Sequence, residues 1–537
     1  MRLALIVVVV SASVFCTEQS PVTTVHRLVN YLRGQSGDSL ISDPVRVDTG
    51  LISGTSGRSP EIRVFRGIPF AAAPVGELRW RTPQPAPRWD GVRKADQFGP
   101  RCMQRGGPGG PPMSEDCLFL NVWTGARSSS DWRPVMVWSY GGAFAIGSGS
   151  MQLYDGENLA KKGVIVVTYN YRLGPLGWFA HPELTKESGH NASGNQGLMD
   201  AIAALKWVRK NIAAFGGDPK NVTIFGESAG GTISATMLAS SEARGLFHRV
   251  ISESPFWMDV GMPLAEAEQF GRQIATTLGV TSLAELRAKT AEELLKSEGG
   301  APIVDGWYIK EDPSIAFAQG RQHEADVLVG SNKDEGTLFM NAESAKRFGS
   351  AARERWGDQA EAFSKLYPAG TEAESQTSQL TAFRDEFSWQ MRRWAELQAR
   401  RGKSRAYVYY FTHEPPAGSV PAGAAGAAHT AEIRYVFNNP PANREWPEQD
   451  RTLAEVMSSY WVNFASKGDP NGKGLPAWPA YKNKAAGRAM ILGPAVEAEA
   501  APDTTRWVLY DTWWARQREG RPIRFWQSLL GPSSPSR

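Results

Sequence analysis

The chain has 537 residues and a formal net charge of only +4, with 59 Lys and Arg against 55 Asp and Glu. So small an imbalance gives no electrostatic footprint for nucleic acid or for membrane attachment, and three cysteines are too few for a disulfide scaffold. The length allows two or three domains, yet no internal repeat, heptad run or low-complexity linker divides the sequence.

The N-terminus opens Met1-Arg2, continues with an apolar run over residues 3–10 and ends Ser11-Ala12-Ser13-Val14-Phe15-Cys16. That is the layout of a secretory signal, too short to span a bilayer as a helix. Cleavage is expected after Ser13 or Cys16; bulky Phe15 fits a lipoprotein signal poorly. The predicted organisation is a signal peptide over 1–16, a polar extension over 17–44 and one domain over 45–537, with the ordered core starting near Val45. No other apolar stretch approaches membrane length, so an exported protein without a stable membrane anchor is expected. Nothing in the sequence sets an oligomeric state.

Strand-like segments recur with helical stretches between them, as a mainly parallel α/β sheet requires. Pro134-Val135-Met136-Val137-Trp138 reads as a buried strand running into the small-residue turn Ser139-Tyr140-Gly141-Gly142-Ala143-Phe144. Leu198, Ile202, Leu205, Val208 and Ile212 fall at helical spacing before Gly216-Gly217, which predicts a packing helix with one buried face and a glycine stop.

Val222-Thr223-Ile224-Phe225 then leads into Gly226-Glu227-Ser228-Ala229-Gly230, followed by a segment able to start a helix. A Gly-x-Ser-x-Gly spacing alone is weak, since most such matches are ordinary loops. Between a strand and a helix it is a nucleophile elbow, where a sharp turn strains the serine and leaves no room for side chains at the flanking glycines. The chemistry it points to is acyl transfer through a serine ester.

Such a serine needs a histidine to take its proton and a carboxylate to orient the histidine. Of the seven histidines, His26, His181 and His190 precede the elbow, His248 follows it too closely, and His323 precedes the best acid candidates. The chain order Ser, acid, His leaves His413 and His429. His413 ends the strand-like Tyr407-Val408-Tyr409-Tyr410-Phe411, whereas His429 lies in the small-residue loop Gly426-Ala427-Ala428-His429, the better place for a reactive side chain. The acid lies in the turn Lys333-Asp334-Glu335-Gly336 after a buried strand ending at Gly330, with Asp334 and Glu335 both available; an isolated turn carboxylate would otherwise read as a solvated charge or a helix cap.

Phe65-Arg66-Gly67-Ile68-Pro69-Phe70-Ala71, Ser114-Glu115-Asp116-Cys117-Leu118-Phe119-Leu120-Asn121-Val122, Asn195-Gln196-Gly197-Leu198-Met199-Asp200 and Phe215-Gly216-Gly217-Asp218-Pro219 stand around the elbow. Together they resemble the type-B carboxylesterase/lipase family, which includes bacterial para-nitrobenzyl esterases, liver-type carboxylesterases and cholinesterases. The resemblance covers about residues 45–515. It implies an α/β-hydrolase fold, a central mostly parallel sheet flanked by helices, with helical insertions shaping the entrance. In this family the acid is the Glu of an Asp-Glu-Gly turn and the histidine sits in a Gly-x-x-His-x-x-Glu loop, which selects Glu335 and His429 over Asp334 and His413. No metal or organic cofactor is implied, and the partner is a small-molecule ester.

The oxyanion donors implied are the N–H groups of Gly142, Ala143 and Ala229. Ala143 stands where the family more often has glycine; it keeps the N–H, and its methyl is expected to disfavour bulky esters, notably of tertiary alcohols. A second departure is Ile251-Ser252-Glu253-Ser254-Pro255, where proline replaces a usual glycine beside Ser254, a serine the family places near the triad; the stiffer backbone leaves Ser254 outside the catalytic set. Glu227 is similar to the family's buried glutamate beside the nucleophile. Cys102 and Cys117 have no histidines near to complete a zinc site, and they match the family's first disulfide, closing a loop worth about 3 kcal/mol in the chain-entropy account.

The expected function is thus a secreted serine carboxylesterase working through an acyl-enzyme on Ser228. Some secreted family members remove acyl groups from mycotoxins such as fumonisins, from pesticides or from plant phenolics. The rival readings are a lipase acting on longer acyl chains and a non-catalytic, cholinesterase-like binding protein. The 19 Trp, 22 Phe and 14 Tyr residues suggest an aromatic-rich core and gorge, with residues 258–305 and 415–428 shaping its entrance. Asn191-Ala192-Ser193 and Asn221-Val222-Thr223 are glycosylation sequons, the second set against a buried strand.

Overall fold

The computed structural model describes residues 41–107, 109–258, 261–297, 300–339, 343–400, 402–441, 445–481, 487–500 and 504–517. The signal peptide expected over 1–16 and nearly all of the extension over 17–44 lie outside them. Packing is already established at Ile41, buried and donating its N–H to Ala126 O at 2.9 Å.

Among the described residues, eleven strands form the central sheet. In chain order they are β1 (Thr55–Ser56), β2 (Arg63–Pro69), β3 (Phe119–Thr124), β4 (Arg133–Ser139), β5 (Ile165–Tyr169), β6 (Gly217–Glu227), β7 (Arg249–Glu253), β8 (Asp326–Asn332), β9 (Ala406–Phe411), β10 (Arg488–Leu492) and β11 (Val496–Ala500). Across the sheet the order is β11-β10-β9-β8-β7-β6-β4-β5-β3-β2-β1. From β10 to β5 every pairing is parallel, and the pairings outside that block are antiparallel. Parallel strands covered on both faces read as continuous apolar runs. Val135, Met136, Val137 and Trp138 in β4 and Ile165, Val166 and Val167 in β5 are accordingly all buried.

The predicted packing helix is α1 (Gln196–Asn211), extended by a short 3₁₀ turn over Ile212–Phe215 and ended by Gly216 at φ +81°. It also carries Asp200, which holds the buried Arg172 guanidinium in a two-pronged ion pair with both contacts at 2.8 Å. The helix after the elbow is α2 (Ala229–Ala239). Two long helices, α3 (Glu372–Ala399) and α5 (Glu448–Lys467), and the short α4 (Ile433–Val436) complete the frame of the site. Cys102 and Cys117 are joined in a disulfide. Among the described residues no helix is long and apolar enough to cross a membrane.

What positions the site is the parallel block. The segments after β4, β6, β7, β8 and β9 all leave from the carboxyl edge of the sheet, where open α/β sheets hold their ligands. These segments carry Gly142, Ser228, Ser254, Glu335 and His429 in turn.

Candidate active site

Ser228 sits between the last residue of β6 and the first of α2, with φ +53° and ψ −120°. A non-glycine residue there costs on the order of 1–3 kcal/mol and persists only where its surroundings over-determine it. Two backbone bonds do so: Ser228 N–H donates to Glu253 O at 2.9 Å, and Ser228 O accepts from Thr232 N at 2.8 Å. The flanking glycines are required by contact. A Cβ on Gly226 would lie 2.6 Å from Gly230 C, and one on Gly230 would lie 1.9 Å from Ser139 O.

Glu335 begins a 3₁₀ turn, Glu335–Leu338, just beyond β8. Its Oε1 accepts from Asn332 N–H at 2.7 Å and from the Ser254 hydroxyl at 2.6 Å, while its Oε2 lies 2.6 Å from His429 Nδ1. A carboxylate with its remaining acceptor aimed at Nδ1 fixes the imidazole tautomer, with the proton on Nδ1 and the lone pair on Nε2. Asp334, the competing carboxylate, is spent otherwise: its N–H donates to Ala427 O and its Oδ2 accepts from Ala427 N, both at 2.9 Å. It pins the loop that carries His429. His413 likewise has another partner, Asp450 Oδ1 at 2.8 Å.

His429 Nε2 lies 2.9 Å from Glu227 Oε1, but without hydrogen-bond geometry, so neither atom makes a hydrogen bond. Nor does Ser228 Oγ hydrogen-bond to His429 in this structure. Bonds of this kind are often long or misaligned before substrate arrives. Exposure falls from 8% at Ser228 to 2% at His429 and 0% at Glu335, so the serine is the member of the three that faces outward.

Four glutamates, Glu227, Glu253, Glu335 and Glu432, are buried in and beside the site. Burial pushes Glu253 well above the usual carboxylate range, reinforced by Glu432, and it raises Glu227, partly offset by His429. Burial together with the charges of Glu227 and Glu335 pushes Glu432 up to about 8. For His429 burial alone would favour the neutral ring; Glu227 and Glu335 outweigh it and raise the imidazole well above its ordinary value. Relative to an ordinary imidazole, these carboxylates thus stabilise the charged form of His429.

The turn after β4 comes against the elbow: a Cβ on Gly141 would lie 3.1 Å from Ser228 Cβ and 2.6 Å from Glu227 Oε2. Gly142 has φ +108° and Ala143 φ +53°. The left-handed backbone at Ala143 explains why glycine suits the position, at a cost of roughly 1–2 kcal/mol for alanine. Among the described residues no hydrogen bond uses the N–H of Gly142, Ala143 or Ala229. For Ala229 this follows from its place as the first residue of α2, whose N–H has no partner within the helix.

Three features of the site were legible in the sequence only in part. Ser254, left out of the catalytic set because of Pro255, nonetheless places its hydroxyl on Glu335 at 2.6 Å, with its backbone at φ +46° and its N–H on Gly330 O at 2.8 Å. Glu432 was visible only as the last letter of the Gly-x-x-His-x-x-Glu loop, and Glu253 only as a neighbour of Ser254. The third is a phenylalanine wall. Phe339 stands 4.7 Å from the His429 ring and packs on Phe383, which stacks on Phe387. Phe256 meets Phe387 edge-on. The spacing of Phe383 and Phe387 by one helical turn was the available signal.

Comparison with known proteins shows the family. Residues 42–506 match the model of the Carboxylesterase family. The chain is 37% identical over 476 residues to a fumonisin B1 esterase of Sphingopyxis macrogoltabida, covering 83% of this chain and 86% of that one. It is 34% identical over 501 residues to the para-nitrobenzyl esterase of Bacillus subtilis strain 168, covering 86% and 97% respectively. A solved PNB esterase superposes with a TM-score of 0.76 at 33% identity, covering 88% of this chain and all of that one. With an α/β-hydrolase sheet, a strained serine elbow and these relatives, the chain belongs to the carboxylesterase family and is a carboxylic ester hydrolase.

Proposed function

We propose that the protein is an exported serine carboxylesterase with Ser228 as nucleophile, His429 as general base and then acid, and Glu335 as the carboxylate that orients it. The observation that carries this is the 2.6 Å bond from Glu335 to His429 Nδ1 beside a serine held at φ +53°. Ser228 Oγ attacks the ester carbonyl as His429 Nε2 takes its proton; the carbonyl oxygen, now negative, is met by the unspent N–H groups of Gly142, Ala143 and Ala229. His429 gives the proton to the departing alcohol, leaving an acyl ester on Ser228. Water then attacks that ester with the same base, and the carboxylic acid leaves. Glu335 keeps its bond to His429 Nδ1 throughout and orients the ring as it takes up and returns the proton.

The substrate we propose is a small-molecule ester of the fumonisin kind, on the identity with an enzyme named for fumonisin B1. Export is supported by the signal-like residues 1–16 and by the Cys102–Cys117 bond, which fits an oxidising compartment. The 17–44 segment is then a polar lead into one catalytic domain.

The test is hydrolysis of short- and long-chain p-nitrophenyl esters and of fumonisin B1 by wild type and Ser228→Ala. Turnover should fall by about 10⁴-fold or more in the variant with an unchanged melting temperature. Preference for long chains, with activation above substrate solubility, would favour a lipase instead. A wild-type protein that neither turns over any ester nor is labelled at Ser228 by an organophosphate would overturn the esterase mechanism. The N-terminus of secreted protein should begin at Val14 or Thr17.

A further inference from the structure

The disulfide loop contains a buried amide that the proposed mechanism does not use. Gln104, two residues after Cys102, is 2% exposed. Its Nε2 donates to Gly147 O at 2.9 Å and to Cys102 O at 3.0 Å, while its Oε1 accepts from Gly147 N–H at 2.9 Å. These partners also settle which end of the amide is oxygen. One side chain thus takes both backbone groups of a single residue, as a neighbouring strand would. Room for it comes from Gly107, where a Cβ would lie 2.5 Å from Gln104 Oε1.

Gly147 closes the turn that begins at Tyr140. Gly142 O accepts from Ala145 N at 3.0 Å and from Ile146 N at 3.1 Å, folding residues 142–146 back on themselves. Gly147, at φ +125°, lies directly on the outgoing limb: a Cβ there would come within 2.5 Å of the Tyr140 ring and 3.0 Å of Gly141 O. Whatever fixes Gly147 therefore fixes Gly141, Gly142 and Ala143. A second amide holds the same limb. Asn170 Oδ1 accepts from Gly149 N–H at 2.9 Å and from the Ser148 hydroxyl at 3.2 Å, and its Nδ2 donates to Pro100 O at 2.9 Å.

We propose that Gln104 is a positioning residue for the oxyanion turn, and that the Cys102–Cys117 loop acts through it as a strut that sets the N–H groups of Gly142 and Ala143. The inference rests on the serine-esterase mechanism for its effect on rate and on the bonds above for its effect on structure. A donor displaced by about 1 Å from its working position costs about 100-fold in rate, so a loosened turn lowers kcat and spares ground-state binding.

The experiment compares wild type with Gln104→Leu, which keeps the volume and loses every bond, and with Gln104→Glu, which keeps the acceptor for Gly147 N–H. Three readouts are taken: kcat and KM on p-nitrophenyl acetate, affinity for an aryl trifluoromethyl ketone whose serine adduct carries an oxyanion, and amide hydrogen exchange over residues 140–149. In Gln104→Leu, kcat should fall by about 10- to 100-fold with KM within about twofold. Ketone affinity should fall by the same factor as kcat/KM, and exchange over 140–149 should quicken. Gln104→Glu should lie between the two. The Cys102→Ser, Cys117→Ser double variant should reproduce the Leu variant's kcat loss. Unchanged exchange over 140–149 in Gln104→Leu overturns the proposal even if the wild type proves inert, an outcome that would count against the esterase mechanism alone. Unchanged kcat and ketone affinity in a folded Gln104→Leu overturn it equally, as does a rise in KM with kcat intact.

Discussion

Among the described residues, two buried histidine–carboxylate hydrogen bonds stand at the two ends of one excursion from the sheet. His413 and Asp450 are 2.8 Å apart where the chain leaves β9; His429 and Glu335 are 2.6 Å apart just before it enters α4. By distance and burial they are nearly equivalent. They differ in what else each pair touches. Asp450 Oδ1 also accepts the Tyr435 hydroxyl, at 2.5 Å, so one carboxylate oxygen ties the start of the excursion to α4 at its end. Glu335 instead spends its second oxygen on Asn332 and Ser254, both fixed on strand ends, and leaves His429 with an unspent Nε2 beside the elbow. A histidine–acid bond is therefore not a catalytic signature by itself. What separates the two pairs is the ring nitrogen used: His413 spends its Nε2 on Asp450, whereas His429 is held through Nδ1 and its Nε2 makes no hydrogen bond.

The comparison breaks most visibly by deleting each imidazole. His429→Ala should lower kcat/KM by about 10⁴-fold or more with little change in melting temperature. His413→Ala should keep an active site but lose stability by about 1–3 kcal/mol, because Asp450 is left buried with one fewer donor; denaturant titration beside ester hydrolysis separates the two. Equal losses of activity in both, without unfolding, would erase the distinction.

A finer cut tests the charge around His429. Burial favours its neutral form, and Glu227 with Glu335 overrides burial, so the acid limb of kcat/KM should lie above pH 6.5, the usual histidine value. Glu227→Gln removes one of the two negative charges that stabilise the imidazolium. The proton is then held less tightly, and the limb should move to lower pH. A limb that stays in place or moves up would show that Glu227 is not what raises the histidine. The smallest effect is expected from Ser254→Ala. Loss of one hydrogen bond to a charged acceptor, with Asn332 N–H still in place, should lower kcat/KM by about tenfold or less, or about 1.4 kcal/mol.

These contrasts also mark how far the sequence could be read. The elbow was legible because its constraint is local: Gly226 and Gly230 face each other and Ser139 O across a few ångströms, and no other residue fits. The packing helix was legible for the same reason, its stop being a glycine at φ +81°. Between Asp334 and Glu335 the residues alone did not decide; the family resemblance did, and the structure shows Asp334 committed to Ala427. Ser254 was placed near the triad only through the family resemblance, because its contact with Glu335 comes from strand register. β7 and β8 lie side by side, and that brings Ser254 to Gly330 and to Glu335, 81 residues away. The Glu253–Glu432 neighbourhood and the Gln104 strut are long-range in the same way, set by which strand ends adjoin.

The tie from His413 through Asp450 to Tyr435 has a consequence for how such an enzyme diversifies. Because the excursion is fastened at its base, and Asp334 fastens it again at Ala427, the exposed residues between these anchors, such as Gly418, Pro421, Ala422 and Gly423, carry no load from the histidine. Substitutions and length changes can accumulate there while the proton-transfer geometry is inherited intact. A laboratory lineage selected for new esters should collect its early tolerated changes in that stretch, and few in the rivets that hold it.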